Sequence, residues 1–369
     1  MKVTRSIQTL GLALGLFVAQ NGLFAEFSLT RSTPEAQGVS SADVLRFVKA
    51  VDSEVDTMHS FMFVRNGHVI AEGWWSPESK DKPHILWSLT KSFTSTAVGL
   101  AQTEGKLSVD DKVLKYFPET APDKPSENLK AMRVRDLLTM STGHNQAPRV
   151  RNSDVDWTKQ FLAHPVTHKP GTHFRYNSAA SYMLGAIVKK TTGDDLIDYL
   201  GPRLFEPLGI AKPKWDMSPQ DMNIGGYGLY VRTEDIAKFG QLYLQKGKWK
   251  GKQLLPESWV KTATSKQVDN SNGVISKNSD WLVGYGFQFW RCRHGVYRGD
   301  GKDGQFCIVM PQYNAVLAMT ANNRDMQKQL TLTWDNLLPA FKDGSLPPDK
   351  KAHRKLKRAL AKLKVKEAK

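Results

Sequence analysis

The sequence predicts a mixed α/β (α+β) fold. In this fold an antiparallel sheet, built from both chain ends and flanked by helices, carries an inserted and mostly helical region. Three observations predict it: a hairpin pattern at 61–75, four strand-like runs between 284 and 320, and helical or loop-rich sequence from 108 to 240. The chain has 369 residues, 40% hydrophobic and 24% charged, which is the composition of a soluble globular protein with room for one large domain or two.

The N-terminal strands come from Phe61–Ile70 (FMFVRNGHVI), where two apolar runs flank Asn66-Gly67. Asn-Gly between apolar runs is the strongest short-range hairpin signal. After a loop, the run HILW leads to Ser88, and Lys91–Gln102 is predicted as a helix that Gly105 ends. The small residues of this helix allow close packing, which favours a central and buried position.

The middle of the chain is predicted to be helical, and the pattern changes to strands after about residue 282. The predicted helices are Val134–Met140, Ala180–Thr191, Asp194–Leu200 and Thr233–Gln245. The predicted strands, separated by Gly, Pro and Asn, are Gly284–Arg291, Val296–Gly299, Gln305–Met310 and Ala315–Thr320. We therefore divide the chain into an α/β domain (26–107 and 241–345) and a helical domain (108–240), with a site in the cleft between them.

Both chain ends have their own character. Residues 1–25 combine a basic start, a short apolar core and Ala25, the layout of a signal peptide, so export to a periplasmic or extracellular location is predicted; a retained N-terminal anchor is the rival interpretation. Residues 346–369 form a basic tail, and its segment 350–369 has apolar residues at helical spacing. An anionic membrane surface fits this pattern, and the alternative is a solvated, frayed extension.

The charge and the two cysteines exclude some classes of function. The net charge is +16, but residues 350–369 hold ten Lys or Arg and one acid, so the excess is concentrated in the tail. This distribution argues against nucleic acid as a partner of the whole domain. Cys292 and Cys307 lie outside any metal-ligand or redox spacing, and the sequence leaves open whether they pair or stay free. No metal and no cofactor are predicted.

Ser-x-x-Lys occurs three times, and context separates the three pairs. Ser79/Lys82 lies in a polar loop and Ser258/Lys261 on a predicted surface helix. Only Ser88/Lys91 lies at the first turn of an apolar helix, where the lysine is on the same face as the serine and burial would lower its pKa. A desolvated amine there can take the serine proton, whereas the plainer interpretation is a helix cap followed by a surface lysine.

Longer stretches around this pair carry a resemblance to a known group of enzymes. They are HILWSLTKSFTSTAVGLAQTEGKLSVDDKV with VRDLLTMSTGH, HPVTHKPGTHFRYNSAASYMLGAIVKKTTG, GGYGLYVRTEDIAKFGQLYLQKGKW, and GYGFQFW…YRGDGKDGQFCIVMP. In this order, over about residues 30–340, the chain resembles the serine β-lactamase and penicillin-binding-protein superfamily. It looks most like the class C-like branch, with its esterases, D-aminopeptidases, DD-peptidases and 6-aminohexanoate-dimer hydrolases. The resemblance implies a β-lactamase/transpeptidase-like fold with Ser88 as nucleophile.

The second motif of that superfamily, Tyr-x-Asn, matches Tyr176-Asn177-Ser178 only in part. The resemblance implies that Tyr176 accepts the proton of Ser88 and later helps to activate water, with Lys91 beside it lowering its pKa. Asn177 comes one position early, and Ser178 takes the position of the asparagine. Both are predicted to bind substrate.

The third motif, Lys-Thr-Gly or His-x-Gly in relatives, aligns with Gly299-Asp300-Gly301, predicted as a substrate-binding strand. The cation is missing and Asp300 stands in the middle, which weakens the case for an efficient β-lactamase. Lys302 or Arg298 are candidates to replace the cation. The backbone N–H groups of Ser88 and Lys302 are the predicted oxyanion hole.

The function predicted from the sequence is that of an exported serine hydrolase that cleaves small esters or amides through an acyl-enzyme on Ser88. Two alternatives remain at this stage. One is a β-lactamase or D-Ala-D-Ala-type peptidase that acts on lactams or cell-wall peptides. The other is a non-catalytic envelope-binding protein with the same fold.

Overall fold

The computed structural model describes residues 27–150, 155–211, 213–274 and 276–366. The predicted signal peptide at 1–25 lies outside these residues. The strands are β1 (Thr30–Arg31), β2 (Thr57–Arg65), β3 (His68–Trp74), β4 (His84–Ile85), β5 (Lys214–Trp215), β6 (Leu229–Val231), β7 (Lys248–Trp249), β8 (Lys252–Gln253), β9 (Trp290–Arg291), β10 (Tyr297–Gly301), β11 (Gln305–Met310) and β12 (Ala315–Asn322). The α-helices are α1 (Ser41–Glu54), α2 (Thr90–Thr103), α3 (Glu127–Ala131), α4 (Val134–Leu138), α5 (Trp157–Ala163), α6 (Ser178–Thr192), α7 (Leu196–Leu200), α8 (Glu206–Leu208), α9 (Thr233–Leu244), α10 (Glu257–Thr264), α11 (Met326–Leu337) and α12 (Lys350–Leu360).

A seven-stranded sheet joins the two ends of the chain in the order β1-β3-β2-β12-β11-β10-β9. The N-terminal hairpin meets the C-terminal strands where β2 pairs with β12, with Phe63 opposite Leu317. Every neighbouring pair is antiparallel except the two-residue β1, which runs parallel to β3 at the edge. The predicted mixed α/β fold with an antiparallel sheet from both ends is therefore confirmed.

Because side chains alternate along a strand, the sheet separates two cores. One face, with Phe61 and Phe63, packs with α1, α11 and α12. The other face, with Met62 and Val64, belongs to the core that also contains the inserted helices, and α9 lies directly on it. At the crossing of α9 with the sheet, a side chain at Gly240 would come within 2.5 Å of Val316. The helix consequently approaches the strands more closely than a larger residue would allow.

The packing of α9 bears on where the helical region ends. The predicted boundary at residue 240 falls inside α9, yet the whole helix packs against β2, β11 and β12. A boundary before Thr233 follows this packing better, because α9 buries its apolar face on the sheet. The division into an α/β domain and a helical domain otherwise stays a prediction.

One predicted strand is wrong. Of the run Gly284–Arg291, only Trp290–Arg291 forms a strand. The preceding residues make a tight turn in which the Gly286 N–H donates to the Phe289 carbonyl at 2.8 Å. Gln288 has φ +63°, in the left-handed region that interrupts a strand. Alternating apolar residues alone do not reveal this turn.

The C-terminal tail is part of the fold rather than a frayed extension. Leu356 is 1% exposed, and together with Leu363 it joins the core beneath α1. Gly73 of β3 makes this possible, since a side chain there would come within 2.8 Å of Leu363. After α12 the Ser76 N–H donates to the Leu363 carbonyl at 3.1 Å, so the tail continues beside the end of β3.

The two cysteines are not joined by a disulfide bond. Cys292 and Cys307 are both buried free thiols, so of the two alternatives the structure has the unpaired one. Within the described ranges, none of the helices combines the length and the apolar character that crossing a membrane requires.

Leu356→Ala should lower the free energy of unfolding by about 2–4 kcal/mol, because it removes a buried leucine from a packed core. Lys355→Ala changes the neighbouring exposed residue and should shift the same quantity by less than about 0.5 kcal/mol. Urea unfolding followed by circular dichroism measures both. Equal effects of the two substitutions would mean that the tail is not packed in solution.

Candidate active site

The short strand β4 brings Ser88 to the start of α2. The Leu86 N–H donates to the Leu229 carbonyl at 2.8 Å, which holds β4 against β6. A single 3-10 turn, Trp87–Leu89, then leads into α2 at Thr90. Trp87 has φ +45°, an unfavourable region for a residue with a side chain. Ser88 therefore sits on a sharp turn at the N-terminal end of a helix, half-buried, where unpaired backbone N–H groups are available.

Lys91 is directed at Ser88 from one turn further along α2. Its Nζ donates to Ser88 Oγ at 2.9 Å and to the Gly226 carbonyl at 2.7 Å. The lysine is 1% exposed, and this burial lowers its pKa to about 7, while the charge of Asp300 opposes the shift. A substantial fraction of the amine is thus uncharged near neutral pH and can accept a proton.

Tyr176 closes the other side of the serine. Its ring centroid lies 5.0 Å from Lys91 Nζ, and its phenol is close enough to Ser88 for the serine hydroxyl to lower the pKa of the phenol. Trp290 stacks on the ring at 5.5 Å between centroids, and Tyr285 packs edge-on at 6.4 Å. The predicted convergence of a hydroxyl, an amine and a phenol is therefore present in the structure.

The structure does not favour ionisation of the Tyr176 phenol. Burial raises the pKa of Tyr176 well above its usual value of about 10, and the neighbouring hydroxyl of Ser88 only partly opposes this. Desolvation of the phenol dominates this shift, and Lys91 beside it is itself partly neutral, so the role of Tyr176 as proton acceptor stays a prediction. Of the two groups, Lys91 has the pKa closer to neutral.

The two residues after Tyr176 have different positions. Asn177 is fully buried and caps α6, where its side-chain oxygen accepts from the N–H groups of Ala179 and Ala180 at 3.0 and 3.3 Å. The cap occupies the side-chain oxygen, whereas Nδ2 has no hydrogen-bond partner among the described residues, and a role of Asn177 in substrate binding stays a prediction. Ser178, the first residue of α6, is half-buried and lines the cavity beside Ser88.

The third motif lies on β10, and its glycines face the nucleophile turn. A side chain at Gly301 would come within 2.0 Å of the Leu86 carbonyl, and one at Gly299 within 2.5 Å of Leu89. Both glycines thus allow β10 to pack directly against the start of α2. Their role is to let the backbone of β10 lie close to the turn that carries Ser88.

Asp300 lies between these glycines, and its charge is largely matched. It is 7% exposed and accepts from Arg298 Nε at 3.0 Å. Burial raises the pKa of Asp300, and the neighbouring guanidinium of Arg298 opposes that shift. Arg298 is fully buried, over the ring of Trp281 at 4.3 Å. It therefore cannot replace the missing cation at the cavity, which leaves Lys302.

Beside Ser88 lies a cavity of about 350 Å³, a typical size for a small-molecule site. Its walls include four aromatic side chains and two cations, none of which the sequence singled out except Lys302. They are Trp87, Trp157, Tyr182, Tyr227, Arg149 and Lys302. Among the described residues no carboxylate lines this cavity. The space next to the nucleophile therefore suits a small, partly apolar molecule, and its fixed charges favour an anion.

Two further residues that support the site were missed. The carbonyl of Gly226 positions Lys91, and at Gly226 a side chain would come within 2.8 Å of the Ser178 carbonyl. Gln288 connects three elements: its amide donates to the Leu138 carbonyl at 2.8 Å and accepts from Ser181, while its backbone carbonyl accepts from Ser92. In the sequence, the dipeptide Gly225-Gly226 indicates a close approach of two backbone segments. No sequence pattern around Gln288 indicates its role.

The other candidates from the sequence lie elsewhere. Lys82 pairs with Glu78 at the surface, and Lys261 is exposed on α10, as predicted for those two Ser-x-x-Lys pairs. Four histidines between residues 144 and 173 form two ring pairs, His144 with His164 and His168 with His173, and none of the four lines the cavity. Within the described part of the chain no three His, Cys, Asp or Glu residues converge as metal ligands would.

Comparison with known proteins decides the family. The family model described as Beta-lactamase matches residues 53–340. The chain belongs to the beta-lactamase family. Members of this family are serine hydrolases, and this chain is accordingly a serine hydrolase.

Individual relatives are distant but cover most of the chain. A 6-aminohexanoate-dimer hydrolase of Paenarthrobacter ureafaciens is 25% identical, over 70% of this chain and 71% of its own. The structure is also similar to a penicillin-binding protein homologue from Caulobacter crescentus (TM-score 0.64, 16% identity, 84% of this chain and 100% of that one). A family VIII carboxylesterase shares the fold with a TM-score of 0.62, 15% identity, and coverage of 84% and 99%.

The lowered pKa of Lys91 predicts a pH-dependent stability. Between about pH 7 and pH 10 the unfolded chain keeps a proton on this lysine that the folded chain has lost. The unfolding free energy of the wild type should therefore rise by about 1.4 kcal/mol per pH unit relative to Lys91→Met over this interval. Urea unfolding at a series of pH values measures the difference. Parallel curves for the two proteins would show that the amine is not desolvated.

Proposed function

We propose that this protein cleaves small esters or amides through an acyl-enzyme on Ser88. The observation that carries the proposal is the 2.9 Å contact between Lys91 Nζ and Ser88 Oγ at a buried amine. A serine hydroxyl becomes an effective nucleophile when a neighbouring base accepts its proton. Lys91 is such a base, because its pKa of about 7 leaves it partly neutral at physiological pH.

The proposed acylation step uses the contact between Lys91 and Ser88. Ser88 Oγ forms a bond to the substrate carbonyl carbon while its proton passes to Lys91 Nζ. The carbonyl oxygen becomes an oxyanion, which the backbone N–H groups of Ser88 and Lys302 stabilise. When the intermediate collapses, the bond to the alcohol or amine breaks and Lys91 returns the proton to that leaving group. Tyr176 stays protonated, and its O–H donates a hydrogen bond first to Ser88 Oγ and then to the departing atom.

Deacylation repeats this sequence with water. A water molecule on the cavity side of the acyl ester attacks the carbonyl carbon and gives its proton to Lys91. The second intermediate then breaks the bond to Ser88 Oγ, which recovers the proton, and the carboxylic acid leaves. Ser178 and Lys302 lie on the cavity wall beside Ser88, where they contact the acyl group or its substituents. No external cofactor takes part in these steps.

Two features bear on the alternatives. Gly299 and Asp300 replace the residues that in lactam-binding relatives provide a cation, and the nearby Arg298 is buried, so esters and simple amides fit the site better than lactams. The contact of Ser88, Lys91 and Tyr176 opposes a purely non-catalytic binding role. We also propose export to the periplasm or beyond, on the basis of the signal-peptide pattern of residues 1–25.

The wild type should hydrolyse p-nitrophenyl butyrate and react with a fluorophosphonate probe. Ser88→Ala should lose the labelling and at least about a thousandfold in kcat/KM, because Ser88 is the cavity hydroxyl that Lys91 Nζ contacts at 2.9 Å. Ser258→Ala is the matched control, since it changes a serine of the same Ser-x-x-Lys spacing on exposed α10. Labelling of Ser88 by a fluorescent penicillin without ester turnover would favour the lactam alternative. No labelling of the wild type by either probe would favour the binding protein.

The cations of the cavity should select anionic substrates. Replacing Arg149 and Lys302 together by Gln should raise KM about fivefold for the p-nitrophenyl monoester of succinate and less than about twofold for the neutral butyrate ester. Lys302 keeps its backbone N–H in this variant, so kcat for the neutral ester should not change. Replacing Lys106 and Lys124 by Gln removes the same charge from exposed positions and serves as control. An equal rise in KM for both esters would contradict a charge-selective wall.

A further inference from the structure

A second and larger cavity, of about 510 Å³, lies far from Ser88, between β3 and α12. On the strand side Val69 and Ala71 of β3 line it, together with the ion pair of Arg31 and Glu72, whose charged atoms lie 2.8 Å apart. On the helical side His353, Leu356, Lys357 and Leu360 line it, at positions i, i+3, i+4 and i+7 of one face of α12. We call this cavity the α12 groove. Its volume lies within the range of about 300–1,000 Å³ that small-molecule sites span.

The rest of α12 and the segment after it carry an unusual density of positive charge. From 350 to 366 the chain has nine lysines and arginines and no acid, and all nine are exposed: Lys350, Lys351, Arg354, Lys355, Lys357, Arg358, Lys362, Lys364 and Lys366. None of them takes part in an ion pair with another described residue. Like charges at this density repel one another, so the surface favours an anionic partner.

The way α12 is packed restricts what this partner can be. The apolar stripe of the helix is already used, since Leu356 and Leu363 are buried in the core beneath α1. Lys366 is also anchored, because its Nζ donates to the Val55 carbonyl at 3.0 Å. The helix therefore cannot turn its leucines into a membrane as a free amphipathic helix does. It presents a rigid cationic face with one apolar opening, the α12 groove.

This combination fits an amphiphile better than a polymer. A polyanion such as nucleic acid would use the cations but has no group for an apolar groove between a helix and a strand. A lipid with an anionic headgroup has both parts: the headgroup meets the exposed cations, and part of an acyl chain enters the groove. Lys357 belongs to both features, since it lines the groove and is exposed at its rim. We propose that the α12 groove and its cationic rim bind an anionic membrane lipid and so hold the protein against a bilayer surface.

The position of the groove leaves the candidate active site open. α12 packs on the sheet face of α1 and α11, whereas α2 with Ser88 belongs to the core on the other face. Three strands, β2, β12 and β11, separate β3 at the groove from β10 at the active site. A lipid in the groove would therefore not block the 350 Å³ cavity beside Ser88. The proposal does not depend on the proposed hydrolase function.

Binding of the full chain to vesicles tests the cationic rim. The wild type should co-sediment with phosphatidylcholine vesicles that contain about one third phosphatidylglycerol, and not with phosphatidylcholine alone. Replacing Arg354, Lys355, Arg358 and Lys362 by Gln should weaken this binding at least about tenfold. Replacing Lys80, Lys106, Lys124 and Lys261 by Gln removes the same charge from exposed positions elsewhere and should leave it within about twofold. Equal weakening in both variants would overturn the proposal.

A soluble amphiphile tests the groove. Titration calorimetry with monomeric dodecyl phosphate should give binding at least about tenfold tighter than with inorganic phosphate or with dodecyl maltoside, since only the first offers both chain and charge. Thr33→Trp places a large side chain at the exposed edge of the groove and should remove this advantage while leaving the weak binding of phosphate unchanged. Lys357→Gln should weaken the binding of dodecyl phosphate more than that of inorganic phosphate, because Lys357 lies at the rim of the groove. Thermal unfolding checks that each variant is folded.

Two outcomes would overturn the assignment. Dodecyl phosphate binding no tighter than inorganic phosphate would leave the groove without a role and reduce the surface to a phosphate-binding one. A short DNA duplex is tested in the same way. If it binds the wild type as tightly as the anionic vesicles do, and binds the Thr33→Trp variant equally well, α12 recognises any polyanion.

Discussion

The desolvation of one lysine is the constraint on which the rest of the candidate active site depends. Lys91 is charged in water, and burying it is unfavourable unless its protons find acceptors. It finds them in Ser88 Oγ and in the carbonyl of Gly226, and both contacts are within 3 Å. The same burial that makes the position costly lowers the pKa of the amine to about 7. Burial of Lys91 therefore both disfavours its charged form and makes it able to accept a proton.

Much of the surrounding structure serves to keep water from that amine. β10 approaches α2 through glycines, so that strand backbone rather than a side chain covers the nucleophile turn. Tyr176 covers the opposite side and is itself held between Trp290 and Tyr285. The contacts at Gly299 and Gly301 are so close that a larger residue at either position would push β10 away from the turn that carries Ser88. Close packing, more than hydrogen bonding, fixes the position of the reactive groups.

Asp300 changes the electrostatics of this arrangement. A carboxylate near Lys91 favours the protonated amine, and burial of the pair with Arg298 limits how far that effect extends. Arg298 and Asp300 largely cancel, so the cations at the cavity wall are Arg149 and Lys302, and Lys302 Nζ also lies 3.0 Å from Asp303 Oδ2. The proposed preference for anionic substrates rests on these two wall residues, whereas the proposed activation of the serine rests on Lys91.

The tail shows why an amphipathic pattern has more than one structural meaning. A stripe of leucines among cations predicts a helix, and α12 is that helix. The pattern cannot say whether the leucines face a membrane or the protein itself, since both are apolar. The structure answers this through Gly73, whose missing side chain leaves room for Leu363 on β3. What the cations contact is a separate question, because they remain exposed.

Local sequence determined the hairpin at Asn66-Gly67, the helix after Ser88, the strand Gln305–Met310 and the mixed fold class, since turn chemistry and apolar periodicity act over a few residues. It also determined which of three Ser-x-x-Lys pairs has an apolar setting. Only the tertiary structure decided that Asn177 caps a helix, that Tyr176 stays protonated and that Arg298 is buried. These outcomes depend on burial and on partners far away in the chain, and neither is encoded in a residue's neighbours.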